Sequence, residues 1–172
     1  MRGLILVAMT AMGLAVPCTA SAATSNRFEG TCTLTGELTF DRPLGNESRQ
    51  TGFRDRAAGT CAGKLNDSYH EGLQVEIRAR GSGDLGCLTG HSTSSGTLTF
   101  TADKARIRFF TDTTGGLTQF ASRFRGAVSG EGVAEVNFLP YADESTTAAC
   151  QAGTLASARY DLFARTTSPL VG

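Results

Sequence analysis

The segment Phe28–Phe40, FEGTCTLTGELTF, constrains the fold more than any other part of the chain. Cys32, Leu34, Leu38 and Phe40 occupy even positions, and Thr31, Thr33, Thr35, Glu37 and Thr39 odd ones. Successive side chains of a strand point to opposite faces, so this pattern specifies a strand with one buried face and one wet face. The same rhythm returns downstream. Leu73, Val75, Ile77 and Ala79 alternate with Gln74, Glu76, Arg78 and Arg80, and Ala105, Ile107 and Phe109 alternate with Arg106 and Arg108. Phe120, Phe124 and Val128 read inward, with Arg123 and Arg125 outward. Ala134, Val136 and Phe138 follow, then Ala156, Ala158, Tyr160, Leu162 and Ala164. Asn66-Asp67-Ser68, Gly81-Ser82-Gly83-Asp84, Asp103-Lys104, Thr113–Gly116 and Gly130-Glu131-Gly132 read as turns between these runs. The expectation is an all-β fold: a single antiparallel domain of about eight strands, either a barrel or a jelly-roll-like sandwich.

Four regions break the pattern. Asp41–Gln50 reads as a polar loop, and His91–Ser95 as a flexible piece following a strand around Cys87. Tyr141–Gly153 reads as a short helix, capped by Asp143 or Ser145 and ended by Gly153. The tail TTSPLVG reads as frayed.

The N-terminus carries Arg2, an apolar run from Leu4 to Val16, and Ala20-Ser21-Ala22 as a cleavage site. This is the pattern of a secretory signal peptide over residues 1–22, leaving a secreted β domain over 23–172. The run is shorter than the roughly 20 residues a bilayer span needs. Pro17 before Cys18 does not fit a lipid-anchor signal. Localisation outside the cell follows.

Without Cys18, four cysteines remain: Cys32, Cys61, Cys87 and Cys150. An even number in an exported domain reads as two disulfides, with three possible connectivities. Cys32 and Cys61 both fall on inward parities, which favours Cys32–Cys61 together with Cys87–Cys150. No C-x-x-C pair is present to suggest zinc.

Candidate chemistry is sparse, and no cofactor motif is read. His70 and His91 are the only histidines, each in a polar stretch, and no G-x-S-x-G elbow accompanies them. Neither a metal-binding helix nor a calcium-loop spacing occurs. Glu37, Glu76, Glu135 and Asp161 project outward by parity, so a two-carboxylate glycosidase is not indicated. Lys+Arg and Asp+Glu both count 16, which argues against nucleic acid as a partner.

The pattern that stands out is three arginine doublets, Arg78/Arg80, Arg106/Arg108 and Arg123/Arg125, each on alternate positions of one strand. If their strands are neighbours, the guanidiniums form a patch suited to carboxylate, sulfate or phosphate.

The signal peptide, the opening FEGTCTLTGELTFDRPL, the GTCAG and GTLTF strands, the lone late cysteine and the ending ARTTSPLVG together resemble uncharacterised secreted β proteins of high-GC Gram-positive bacteria. The resemblance implies an exported β fold and carries no activity with it. There is a more distant similarity to the small secreted β-sandwich chromoproteins that carry an apolar ligand. Their cysteine pairs are closely spaced, unlike the cysteines here. The functional expectation is a non-enzymatic binding domain whose arginine face takes an anionic cell-envelope polymer. The alternative is a closed barrel carrying a small apolar ligand, lined by Phe109, Phe120, Phe124, Phe138 and Tyr160. A third is a hydrolase or isomerase using an acid in a barrel mouth.

Overall fold

A computed structural model describes residues 25–116 and 118–172. The expected signal peptide lies outside the described residues. Strands β1 (Arg27–Leu44), β2 (Arg49–Leu65), β3 (Ser68–Leu85), β4 (Gly90–Phe100), β5 (Arg106–Gly116), β6 (Gln119–Gly126), β7 (Glu131–Asn137) and β8 (Leu155–Thr166) run antiparallel, each paired with the next. β1 pairs with β2 on one side and with β8 on the other, so the sheet closes into a barrel. The alternating segment that opens the chain is therefore its closing strand. Cys32 lies directly opposite Cys61 across β1–β2, and these two form one disulfide; Cys87 and Cys150 form the other.

Glycine and aromatic residues pair across neighbouring strands on the inner face. Phe53 lies opposite Gly81, Phe109 opposite Gly96, Phe120 opposite Gly115, Phe124 opposite Gly132, and Tyr160 opposite Gly36. At each of these glycines a Cβ would come within 2.9 Å of the facing ring. The bare backbone lets each ring lie flat on the opposing strand while the small barrel curves tightly.

Both barrel ends are covered. At one, Phe28, Leu65, Val75, Phe100 and Ile107 are buried, with the Phe28 and Phe100 ring centres 5.2 Å apart. The tail, expected to fray, adds strand β9 (Leu170–Val171) here, pairs with Arg27–Phe28 and leaves Leu170 only 3% exposed. An apolar Leu-Val pair after Pro169 gave a reason to dock that the polar residues before it concealed. At the other end, Leu139–Tyr141 forms a single 3₁₀ turn and α1 (Glu144–Ala152) follows. Asp143 caps this helix by accepting from the Thr146 amide, which holds its carboxyl below the usual range. Gly153 ends it in the left-handed region at φ 70°. The Cys87–Cys150 bond ties α1 to the loop after β3, where Leu44, Leu85 and Leu155 are buried.

Several expected boundaries move. Gly81–Asp84 is strand, not turn, because each of these residues pairs with both β2 and β4. Cys87 sits in the loop that follows, and His91–Ser95 is ordered strand in β4. The Asp41–Gln50 loop shrinks to Gly45–Ser48. Val128 is 68% exposed in a turn rather than inward, since β6 ends at Gly126. The Asn66-Asp67 turn behaves as read: both residues take positive φ, 49° and 69°, joining β2 to β3 as a two-residue hairpin.

Candidate functional site: the barrel interior and the arginine face

The barrel is not filled. A cavity of about 140 Å³ lies inside it, walled by Leu38, Phe53, Ile77, Phe109, Phe124 and Leu162 among others. Leu38, Phe53, Ile77, Phe124 and Leu162 point inward by register yet remain only half-buried. Side chains that fill a core of this kind leave no such surface. Phe120 and Tyr160 also border the cavity. Phe138 does not: it packs behind them, 5.2 Å from Phe120 and 5.7 Å from Tyr160.

One wall carries hydroxyls. Ser92, Thr113 and Ser122 stand in register across β4, β5 and β6, and Ser94 and Thr111 form the adjacent row. Ser94 Oγ lies 2.6 Å from Thr111 Oγ1, and Thr113 Oγ1 lies 2.9 Å from Ser122 Oγ. Four of these hydroxyls bond in pairs, Ser94 with Thr111 and Thr113 with Ser122, which satisfies them within an otherwise apolar space.

Asp55 also faces the cavity, from β2. Tyr160 reaches it from β8 across β1: its ring lies over Gly36, where a Cβ would sit 2.4 Å from Cζ, and its hydroxyl donates to Asp55 Oδ1 at 2.5 Å. Burial pushes the Asp55 carboxyl up from 3.8 to about 6, against the smaller, opposing effect of the Tyr160 hydrogen bond. Burial and the neighbouring carboxylate together push the Tyr160 phenol well above its ordinary range. Asp55 lies upstream of the alternating runs that the sequence makes plain, between the polar Asp41–Gln50 stretch and the GTCAG strand. Its parity matches Ala57, Gly59 and Cys61, so an acid on the inward side was there to be seen.

The arginines lie on the outer face. Arg78 and Arg108 both stand opposite Thr97, one on each side of β4. Arg80 and Phe110 both stand opposite Ser95, and Arg125 continues that row on β6 with its guanidinium 5.2 Å from the Phe110 ring centre. Arg54 and Arg56 on β2, not singled out from the sequence, pair directly with Arg80 and Arg78. The short side chains Thr93, Ser95 and Thr97 make β4 the floor of a trough between these walls. Arg106 lies one row off, opposite Thr99, whose other neighbour is Glu76; Arg123 stands opposite Asp112. Among the described residues, Arg54 and Arg78 have carboxylates only at 3.9 Å, from Asp41 and Glu76.

The histidines do not converge on a nucleophile. His91 Nε2 bonds the exposed Asp112 at 2.9 Å on the outer surface, and His70 lies on β3 opposite Gly63. Glu37, Glu76 and Glu135 stand exposed on separate strands, and Asp161 accepts from Thr35 and Tyr141. Among the described residues no group of three or more His, Cys, Asp or Glu is placed to hold a metal ion, and no helix is long and apolar enough to cross a membrane. Set against known protein families, curated proteins and solved structures, the chain matches none.

Proposed function

We propose that this is an exported barrel that carries a small, largely apolar molecule in its interior. The observation that supports this best is the 140 Å³ cavity bounded by half-buried apolar side chains. An apolar cavity of roughly this size is enough to hold a single aromatic ring. An eight-stranded barrel is the size at which an interior either fills with side chains or accommodates one small ligand. The inner rings rest on glycines rather than meeting at the axis, which keeps the space open. Two disulfides suit an oxidising compartment, in keeping with export.

Toluene tests this reading. A saturating concentration should raise the melting temperature by about 5 °C or more, as expected for a ligand near 100 times its Kd on a domain of this size. Ala164→Leu, which adds bulk to the cavity wall, should remove most of that shift. No shift in the native protein, or an undiminished shift in the variant, contradicts the reading.

The outer arginines support a second role for the same molecule: attachment to an anionic envelope polymer. The observation favouring it is the direct cross-strand pairing of Arg54 with Arg80 and Arg56 with Arg78. Like charges placed directly opposite each other destabilise a sheet, and a polyanion lying along the trough would relieve that repulsion.

A further inference from the structure

Resting on the cavity reading, we infer that the interior is built for a small ring-bearing amine, with Asp55 as the counter-charge for its ammonium group. Three observations carry this. Among the described residues Asp55 is the one acidic side chain lining the cavity; the one basic residue bordering it, Arg165, is exposed on the outward parity of β8 beside Ala164, and no cation pairs with Asp55. Its neighbours in register on β1, β3, β4 and β5 are Leu38, Ala79, Gly96 and Phe109, none of which titrates. From β8 the only titratable group facing it is Tyr160, whose hydroxyl donates a hydrogen bond but no charge. Arg54, Arg56, Arg78 and Arg80 project from the opposite face of the same sheet.

The second observation is that half of the carboxyl remains free. Oδ1 is taken by Tyr160. Oδ2 has no hydrogen-bond partner among the described residues, and no sealed, unpartnered side-chain oxygen exists there, so Oδ2 keeps contact with open space. A carboxylate stripped of water and left with one hydrogen bond is costly, and a cation placed beside it offsets that cost.

The third is the character of the walls. Phe53, Phe109 and Phe124 present aromatic surface, which favours a ring and tolerates a neighbouring cation. A purely apolar ligand would leave Oδ2 unpaired, and an anionic one would meet like charge. An aromatic ring with one aminomethyl arm satisfies the walls and the carboxylate together. The raised Asp55 carboxyl adds a signature: the counter-charge is half present near pH 6, nearly complete about one pH unit above it and fades below.

The test compares benzylamine, benzyl alcohol and toluene by isothermal titration with the purified protein at pH 7.5 and pH 5. Benzylamine should bind about tenfold more tightly than toluene at pH 7.5, the scale of one charge-assisted hydrogen bond, and lose most of that preference at pH 5. Benzyl alcohol should fall between them with little pH dependence. Asp55→Asn should bind benzylamine and toluene within about twofold of each other. The pH series on the unaltered protein is an independent check should the variant fold poorly. Equal affinity for amine and hydrocarbon, or a preference that persists at pH 5 or in Asp55→Asn, overturns the inference. Toluene binding without amine binding overturns it while leaving the cavity reading intact. If none of the three binds, both fail.

Discussion

At the scale of single residues, Asp55 and Gly36 make the interior unusual. Gly36 is bare so that Tyr160 can cross β1 and bond a carboxyl on β2. That carboxyl has a consequence for stability. Its folded pKa, about 6, lies above the ordinary 3.8. Well below pH 3.8 it is protonated folded and unfolded, and its full contribution is present. As pH rises toward 6 the unfolded chain ionises first, so stability falls by roughly 2–3 kcal/mol and levels off above about pH 6. Urea denaturation at steps from pH 4 to pH 7 should show this decline in the native protein and lack it in Asp55→Asn. Curves that run parallel would mean the carboxyl is not buried as described. The residue was legible in principle: an Asp two positions before Ala57, on the parity of Ala57 and Cys61, is an inward acid as soon as the strand includes it. What no single sequence reveals is Tyr160 as its partner, because 105 positions separate the two and only closure of the barrel joins them.

At the scale of elements, period-two burial located every long strand, and it did so because each has one face in water. Parity also favoured the two disulfide pairs, through a Cys32–Cys61 match across adjacent strands. Two of the failures have a common cause. Gly81–Asp84 and His91–Ser95 carry turn-forming residues, yet both are mid-sheet, because a tightly curved barrel uses Gly and Ser where a flat sheet would use Val or Ile. Of the three arginine doublets, only Arg78 and Arg108 face each other across β4, and the β2 pair Arg54 and Arg56 that completes the trough carries no doublet spacing against an apolar alternation that would single it out. Replacing Arg54, Arg56, Arg78 and Arg80 with Gln should abolish retention on an immobilised anionic polysaccharide at low salt. Melting should stay within a few degrees or rise slightly, since opposed like charges are removed. Retention equal to that of the native protein would show the face to be ordinary solvated surface.

At the scale of the whole molecule, strand number and antiparallel class were legible, whereas barrel against sandwich was not. That choice rests on whether β1 finds β8, a pairing more than 110 residues apart in sequence. Whether the interior is filled or hollow was further out of reach, because the inward aromatics read as core in either case. The register resolves this: each ring lies back on a glycine of the next strand, and a space remains along the axis. Both ends of that space are covered, by β9 with Phe28 and Phe100 at one and by the disulfide-tethered α1 at the other.

The hollow interior is most directly tested by a crystal structure of the protein pressurised with xenon, an apolar atom that enters dry cavities. Xenon density enclosed by Leu38, Phe109, Phe124 and Leu162 is the expected result. An interior free of xenon, with those side chains meeting across the axis, would contradict it.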